Sequence, residues 1–305
     1  MKLKAKVPNI YDGFTLLDYI SKRFNYLGID EWRMRIEENR HSRKGVVLSA
    51  DDPVFFLDEI VYDMPDVEEE PANLNYKILM QTKDFLAVNK PANLMVHRCK
   101  TNFRHNLIYQ LRETHKPRFK TANTINRLDK DTSGIVMVSL NKKALNEIAL
   151  QFSERTIKKT YYAVVVGEPN PPCGIITAQL GKIEEPTSQD LRRGRFIVVD
   201  GTNAKESETY YETVKTENGH SLVRLFPKTG RTHQLRVHLA HIQTPILGDL
   251  AYGLEKEAYL EYCGQKNIVP IPAQRQLLHC AETEFTFNGD RYRVISSLPE
   301  DFEVF

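Results

Sequence analysis

The sequence predicts an α+β protein in two parts: a small α+β unit, then a strand-rich mixed domain with a few helices packed on it. Three observations carry this. Two runs, "GIVMVSL" (134–140) and "TYYAVVVGE" (160–168), are dense in β-branched and aromatic residues, which suit a pleated, half-buried surface. Asn218-Gly219 and Asn288-Gly289 each sit between strand-like runs, a strong short-range hairpin signal. Other segments repeat apolar residues at helical spacing. With 305 residues, 41% hydrophobic and 27% charged, the chain can build about two domains around a sizeable core.

In chain order, Leu16, Leu17, Ile20 and Phe24 predict a first helix, and "DEWRMRIEEN" a second with Asp30 as its N-cap. The stretch "KGVVLSADDPVFFLDEIVYD" reads as short strands broken at Asp51-Asp52-Pro53. These elements define a unit over residues 1–64, followed by an acidic linker over 65–75. A larger domain over 76–305 opens with "YKILMQTKDFLAVNKP", two strands around Lys83-Asp84. "LIYQLRETH" is predicted helical, as is "NKKALNEIALQFSER" with Ala144, Leu145, Ile148, Ala149 and Phe152 on one face. "ETYYETVKTENGHSLVRLFP" and "LLHCAETEFTFNGDRYRVISS" read as hairpins, and "THQLRVHLAHI" as a helix.

Composition excludes several classes. No apolar stretch approaches the ~18 residues that span a bilayer, so no membrane association is expected. The N-terminus has no apolar signal core, and Cys99, Cys173, Cys263 and Cys280 form no C-x-x-C pair. The expectation is a cytoplasmic protein without a disulfide framework or zinc site. Neither G-x-G-x-x-G nor a Walker A pattern occurs, which leaves a nucleotide cofactor unsupported. The net charge of +2 hides an asymmetry. Residues 51–70 hold nine acidic side chains and no basic one; residues 98–130 hold nine Lys/Arg against Glu113 and Asp129. A basic block of this kind suits phosphates, and equally a solvated face.

The stretch "INRLDKDTSG" places Asp129 at the entry of the run 134–140, beside a Thr-Ser-Gly corner. It resembles the H-R-L-D-x-x-T-S-G signature of the RluA family of RNA pseudouridine synthases. With four further segments it stands in family order over residues 76–302: "FLAVNKPANLMVH" before it, then "KKTYYAVVVGE", "KTGRTHQLRVHLAHIQTPILGDLAYG", and the closing "LLHCAE" with "LPEDF". The family histidine is Asn126 here, which keeps one hydrogen bond of a neutral imidazole but not its bulk.

The resemblance implies a pseudouridine synthase fold, a mixed and mainly antiparallel sheet flanked by helices. It implies isomerisation of uridine in RNA, ribosomal or transfer, with large-subunit ribosomal RNA favoured, and no cofactor or metal. Asp129 becomes the catalytic carboxylate, as nucleophile or as base; both roles require the ionised form. Arg231 matches the family arginine that pairs with it, favouring the charged carboxylate through a planar fork. Tyr161 matches the tyrosine that stacks on uracil. Arg127, Lys90, Arg118, Lys120 and Arg236 are expected to bind substrate, with Lys90 and Pro91 shaping a loop beside the pocket and Arg236 a framework or backbone contact. Asp131 falls at a variable motif position and reads as a turn residue. His233, His238 and His241 lack metal-ligand spacing.

The front unit resembles, less closely, an S-four-type RNA-binding domain, with Arg33, Arg35, Arg40, Arg43 and Lys44 as its basic residues. A monomer is expected. Two other readings compete. A catalytically silent RNA-binding or ribosome-assembly factor would have no chemical need for Asp129, Tyr161 and Arg231. A glycosidase using Asp129 and Asp131 would need two carboxylates with a defined gap, and these are loop neighbours.

Overall fold

The computed structural model describes residues 2–24, 27–63, 69–99, 102–182, 196–198, 204–253, 273 and 275–302. The chain divides into two compact units: residues 1–70 with 99–103, and residues 71–98 with 104–305. Residues 65–68 of the acidic linker lie outside the described residues, as does Lys100.

In the first unit, strands β1 (Lys2–Lys6), β2 (His41–Arg43), β3 (Val46–Val47) and β4 (Glu59–Asp63) form an antiparallel sheet in the order β1-β4-β2-β3. Helices α1 (Leu16–Arg23) and α2 (Ile29–Glu37) bury Leu16, Leu17, Tyr19, Ile20, Trp32 and Ile36 in one core with Ile60 and Tyr62. Thr15 caps α1, its hydroxyl accepting from the Asp18 N–H. The N-cap of α2 is Gly28; Asp30 instead lies in the first turn, where its charge still favours the helix dipole.

The second unit is built on strands β5 (Lys77–Gln81), β6 (Phe85–Lys90), β7 (Asn123–Thr124), β8 (Ser133–Ser139), β9 (Lys158–Val166), β10 (Cys173–Lys182), β11 (Phe196–Val198), β12 (Lys205–Glu217), β13 (His220–Pro227), β14 (Leu278–Phe287) and β15 (Asp290–Ile295). They form one sheet in the order β11-β10-β12-β13-β9-β14-β8-β6-β5, with β15 on β14 and β7 on β8. All pairings are antiparallel except β14 with β8. The mixed, mainly antiparallel sheet is therefore the expected one. Helix α3 (Leu107–Tyr109) continues into a π-helical turn (Gln110–Thr114), and α4 (Lys142–Ser153) and α5 (Gln234–His241) complete the helices. The hairpins turn at Asn218 and Asn288, both with φ near +50°.

The site depends on the parallel junction. β14 pairs with β8 only at His279–Ser133 and Cys280–Gly134, while its other neighbour β9 pairs Tyr161 with Cys280. Gly134 has φ +109°, and a Cβ there would lie 2.2 Å from the Cys280 carbonyl oxygen. Only glycine allows β8 to come this close. That approach brings the loop before β8, carrying Asp129, to the face of β9 that carries Tyr161.

Candidate active site

A pocket of about 320 Å³ opens at this junction, at the lower end of ordinary small-ligand sites. One wall is the loop 125–132, with Asn126, Arg127, Leu128 and Asp129; the others come from Lys159 and Tyr161 on β9, the segment 227–236, and Leu278. It therefore gathers Asp129, Tyr161, Arg127, Arg231 and Arg236, five of the residues singled out in the sequence.

The loop is held by backbone-directed bonds. Asn126 Oδ1 accepts from the Met137 N–H at 2.7 Å, tying the loop to β8. Asparagine at this position thus fixes the loop by its carbonyl oxygen. On the far side of Asp129, Lys90 donates to the carbonyls of Pro91, Leu94 and Lys130 at 2.8, 2.8 and 3.0 Å. Its side chain has no exposure, so it offers nothing to an RNA, and the expectation that it binds substrate is corrected. Three donors meeting three carbonyls make it a clamp between the 91–94 turn and the Asp129 loop. Burial lowers the Lys90 ammonium to about 7, against the favourable charges of Asp131 and Asp129.

Among the described residues the carboxylate of Asp129 makes no ion pair with Arg231. Arg236 Nη1 donates to Asp129 Oδ2 at 3.1 Å, while Arg236 Nε and Nη2 donate to Asp249 at 2.7 and 2.9 Å. One guanidinium therefore spans two carboxylates, using three nitrogens in a geometry only arginine has. Its central carbon, Cζ, lies 4.9 Å from the centre of the Tyr252 ring. Asp249, with 0% side-chain exposure, also accepts from the N–H groups of Ala251 and Tyr252. Burial works against the Arg236 charge, but the bond and charge of Asp249, then Asp129, raise its pKa further above its ordinary value.

Arg231 instead donates through Nε to the Glu206 carbonyl, and its backbone N–H donates to Gln234 Oε1. The physical reason is the turn before α5. His233 adopts φ +57°, a left-handed residue, and the helix starts only at Gln234. Gln234 then binds Thr229, Arg231, Glu208 and Thr209, fixing the G-R-T segment as a loop along the rim. The second arginine of the motif, on the helix, reaches the carboxylate; the first, on the loop, does not.

Tyr161 is 8% exposed and lines the pocket. Burial first, then Cys280 and Asp129, hold its phenol well above the ordinary tyrosine range, so the ring is neutral. Tyr162 points to the opposite face, where its hydroxyl accepts from Arg224 Nε at 2.9 Å. His233 Nε2 lies 3.8 Å from Asp129 Oδ2, but burial, its largest influence, lowers its pKa, so near neutrality this is a contact of a neutral ring. Its Nδ1 pairs with the Tyr252 hydroxyl at 2.8 Å.

Arg127 is exposed at the rim, with no ion pair among the described residues. Arg118 and Lys120 are exposed but do not line the pocket. Arg112 is committed to the Ala122 carbonyl and Asn123 Oδ1. Sequence reasoning missed Asp249, Gln234 and Lys159 as parts of the site. All three lie inside the family-like motifs of the sequence, and an aspartate in "LGDLAYG" was the available signal, since such a group, once buried, needs a partner. Among the described residues no group of three or more His, Cys, Asp or Glu could hold a metal ion.

The profile of the RNA pseudouridylate synthase family matches residues 84–241, which include Asp129, Tyr161, Arg231 and Arg236. The chain belongs to this family. The RluA type read from the five motifs is borne out by the relatives of this synthase. It is 29% identical to ribosomal large subunit pseudouridine synthase D of Haemophilus ducreyi, over 99% of this chain and 93% of the relative. It is 32% identical to ribosomal large subunit pseudouridine synthase C of Vibrio parahaemolyticus, over 70% of this chain and 62% of the relative. Among solved structures, human RNA pseudouridylate synthase domain containing 1 superposes with a TM-score of 0.57 at 26% identity, covering 75% of this synthase and 86% of that chain. Domain containing 4 gives 0.55 at 24%, covering 74% and 90%, a likeness of fold. Family membership sets aside the glycosidase reading. Among the described residues no helix of the synthase is long and apolar enough to cross a membrane.

Proposed function

We propose that this synthase isomerises specific uridines of large-subunit ribosomal RNA to pseudouridine, with Asp129 as its catalytic carboxylate. The observation that carries the reading is the placement of Asp129 and Tyr161 in one pocket, with Asp129 held by a guanidinium that is itself anchored on a buried aspartate. The names and coverage of the relatives support ribosomal RNA over transfer RNA.

In this reading the uridine is flipped out of its helix, at a cost of a few kcal/mol, and enters the pocket. The neutral Tyr161 ring supports the uracil by its face and leaves its edges free to turn. The bond from N1 to C1′ breaks, the base rotates, and C5 bonds to C1′. The C5 proton leaves and N1 regains one, so the reaction needs no oxidant, reductant or co-substrate. Asp129 either attacks C1′ or removes the C2′ proton. Both require a carboxylate fixed against the ribose, and the Arg236 bond fixes it. Arg127 contacts the RNA backbone at the rim, and Arg118 and Lys120 contact it outside the pocket. Arg236 acts on Asp129 rather than on the RNA.

The first unit serves as an accessory RNA-binding domain of the S-four type. Two helices on a small sheet support this, as do exposed Arg33 and Lys44; Arg35, Arg40 and Arg43 are engaged with Glu31, Glu38 and Asp58. The chain acts as a monomer in the cytoplasm and needs no cofactor.

Pseudouridine mapping of total RNA, with and without the gene, tests the function. Loss of one or a few pseudouridines from large-subunit ribosomal RNA, restored by the purified protein in vitro, is the expected result. Losses confined to transfer RNA would overturn the substrate assignment.

A further inference from the structure

Lys159 stands two residues before Tyr161 on β9, so both side chains leave the strand on the same face and line the same pocket. Its ammonium lies 5.9 Å from the centre of the Phe152 ring and close to Gly230. Among the described residues it has neither a hydrogen-bond acceptor nor a carboxylate partner. A half-buried ammonium without a counter-charge is costly until an anion reaches it, and burial lowers its pKa accordingly.

A second cavity, of about 330 Å³, continues from the first and shares Phe152, Lys159, Thr229, Gly230 and Arg231 with it. Arg155, Lys159, Lys228 and Arg231 line it, and no acidic residue does. Arg155 has no ion pair among the described residues. Among the described residues the Arg231 guanidinium is bonded only to the Glu206 carbonyl, through Nε, and Lys228 meets Glu208 on an exposed side. Further on, the groove becomes mixed in charge, with Glu282 and Glu284 beside Arg293. The purely cationic section therefore directly adjoins the pocket.

We infer that this cavity is the track for the RNA backbone flanking the flipped uridine, with Lys159 as the anchor for its nearest phosphate. The inference rests on the pseudouridine synthase reading. A uridine seated between Tyr161 and Asp129 stays covalently joined to its two phosphates, so negative charge enters with the base. Among the described residues Lys159 is an unpartnered cation on the Tyr161 side of the pocket. This also gives Arg231 a role: as a rim cation of the track it binds the strand, while Arg236 holds the carboxylate.

The test uses full-length protein and a short fluorescent oligouridylate, with binding followed by anisotropy across a NaCl series. Lys159→Met should lower the log–log salt slope by about 0.7, the value for one single-stranded phosphate contact. Lys159→Arg should restore it, and Lys142→Gln, at an exposed position outside the groove, should leave it unchanged. Wild-type protein should show a reduced slope with an uncharged methylphosphonate oligouridylate, which keeps the test open if a variant fails to fold. An unchanged slope and affinity in Lys159→Met, in a preparation whose wild type forms pseudouridine, would overturn the track and leave the function standing. A glutamate oligomer competing as well as oligouridylate would also overturn it, in favour of an acidic protein partner. A slope that falls as expected while the wild type forms no pseudouridine in any RNA would support a backbone track and overturn the catalytic reading instead.

Discussion

Replacing Arg236 should separate stability from chemistry. Its guanidinium gives two bonds to Asp249 and one to Asp129, and its side chain is 11% exposed. In Arg236→Met the buried Asp249 carboxylate loses its cation and, among the described residues, keeps two backbone N–H donors. Removing one member of a buried ion pair costs about 3–5 kcal/mol, and that is the expected fall in unfolding free energy. Arg236→Lys returns a positive charge beside Asp249, so most of this stability should return. A single ammonium cannot reproduce the fork that reaches both carboxylates, and Asp129 loses its orienting bond. A charge-assisted hydrogen bond contributes about 1.5–3 kcal/mol, so turnover of Arg236→Lys should fall about 10- to 150-fold. Urea denaturation gives the first quantity, and tritium release from RNA labelled at uridine C5 gives the second under single-turnover conditions. Wild-type turnover in a well-folded Arg236→Lys would refute the claim that this arginine positions the carboxylate.

Three further expectations follow from the same geometry. Tyr161→Phe keeps the ring and should retain far more turnover than Tyr161→Ala, because the neutral hydroxyl carries no charge into the reaction; equal losses in the two variants would assign the hydroxyl a proton-transfer role. Lys90 is lowered to about 7 from 10.5, so above pH 7 the unfolded chain holds a proton that the folded chain has lost. Stability from this group therefore rises with pH by up to about 1.4 kcal/mol per unit, and urea midpoints should shift in favour of wild type over Lys90→Met between pH 7 and about pH 9. A constant difference would show that Lys90 stays charged in the fold. Gly134→Ala should cost at least about 3 kcal/mol in thermal unfolding, combining backbone strain with a collision against Cys280, whereas Gly45→Ala, with positive φ but open space, should cost about 1–2 kcal/mol. Similar losses in both would mean that the strand approach at Gly134 is unimportant.

Much of the fold was legible because its signals are local. Strands 134–140 and 160–168, both Asn-Gly hairpins and the helix around Ile148 follow from residue type and spacing alone. The first strand is also written in the sequence, as the alternating "KLKAK", although three lysines in five residues mask its apolar period; the exposed lysines alternate with half-buried Leu3 and Ala5. Asp129 and Tyr161 were found through their motifs. The choice between Arg231 and Arg236 was not legible, because it depends on one left-handed residue, His233, which ends the loop and sets the phase of the helix. Lys90 reads as exposed from its type, and only the closing of the 91–94 turn against Lys130 shows why an ammonium is buried there. The Asp249 partnership is a tertiary fact. Helix α5 and the "GDLAY" turn must both be in place before its carboxylate meets a guanidinium.

The central claim is that the carboxylate of Asp129 performs the chemistry. Asp129→Asn preserves the size of the side chain and still offers an oxygen to Arg236, so folding and RNA affinity should stay near wild type. Single-turnover conversion of ribosomal RNA by this variant should then fall below detection. Conversion within about tenfold of wild type, a barrier change of only ~1.4 kcal/mol, would contradict the account.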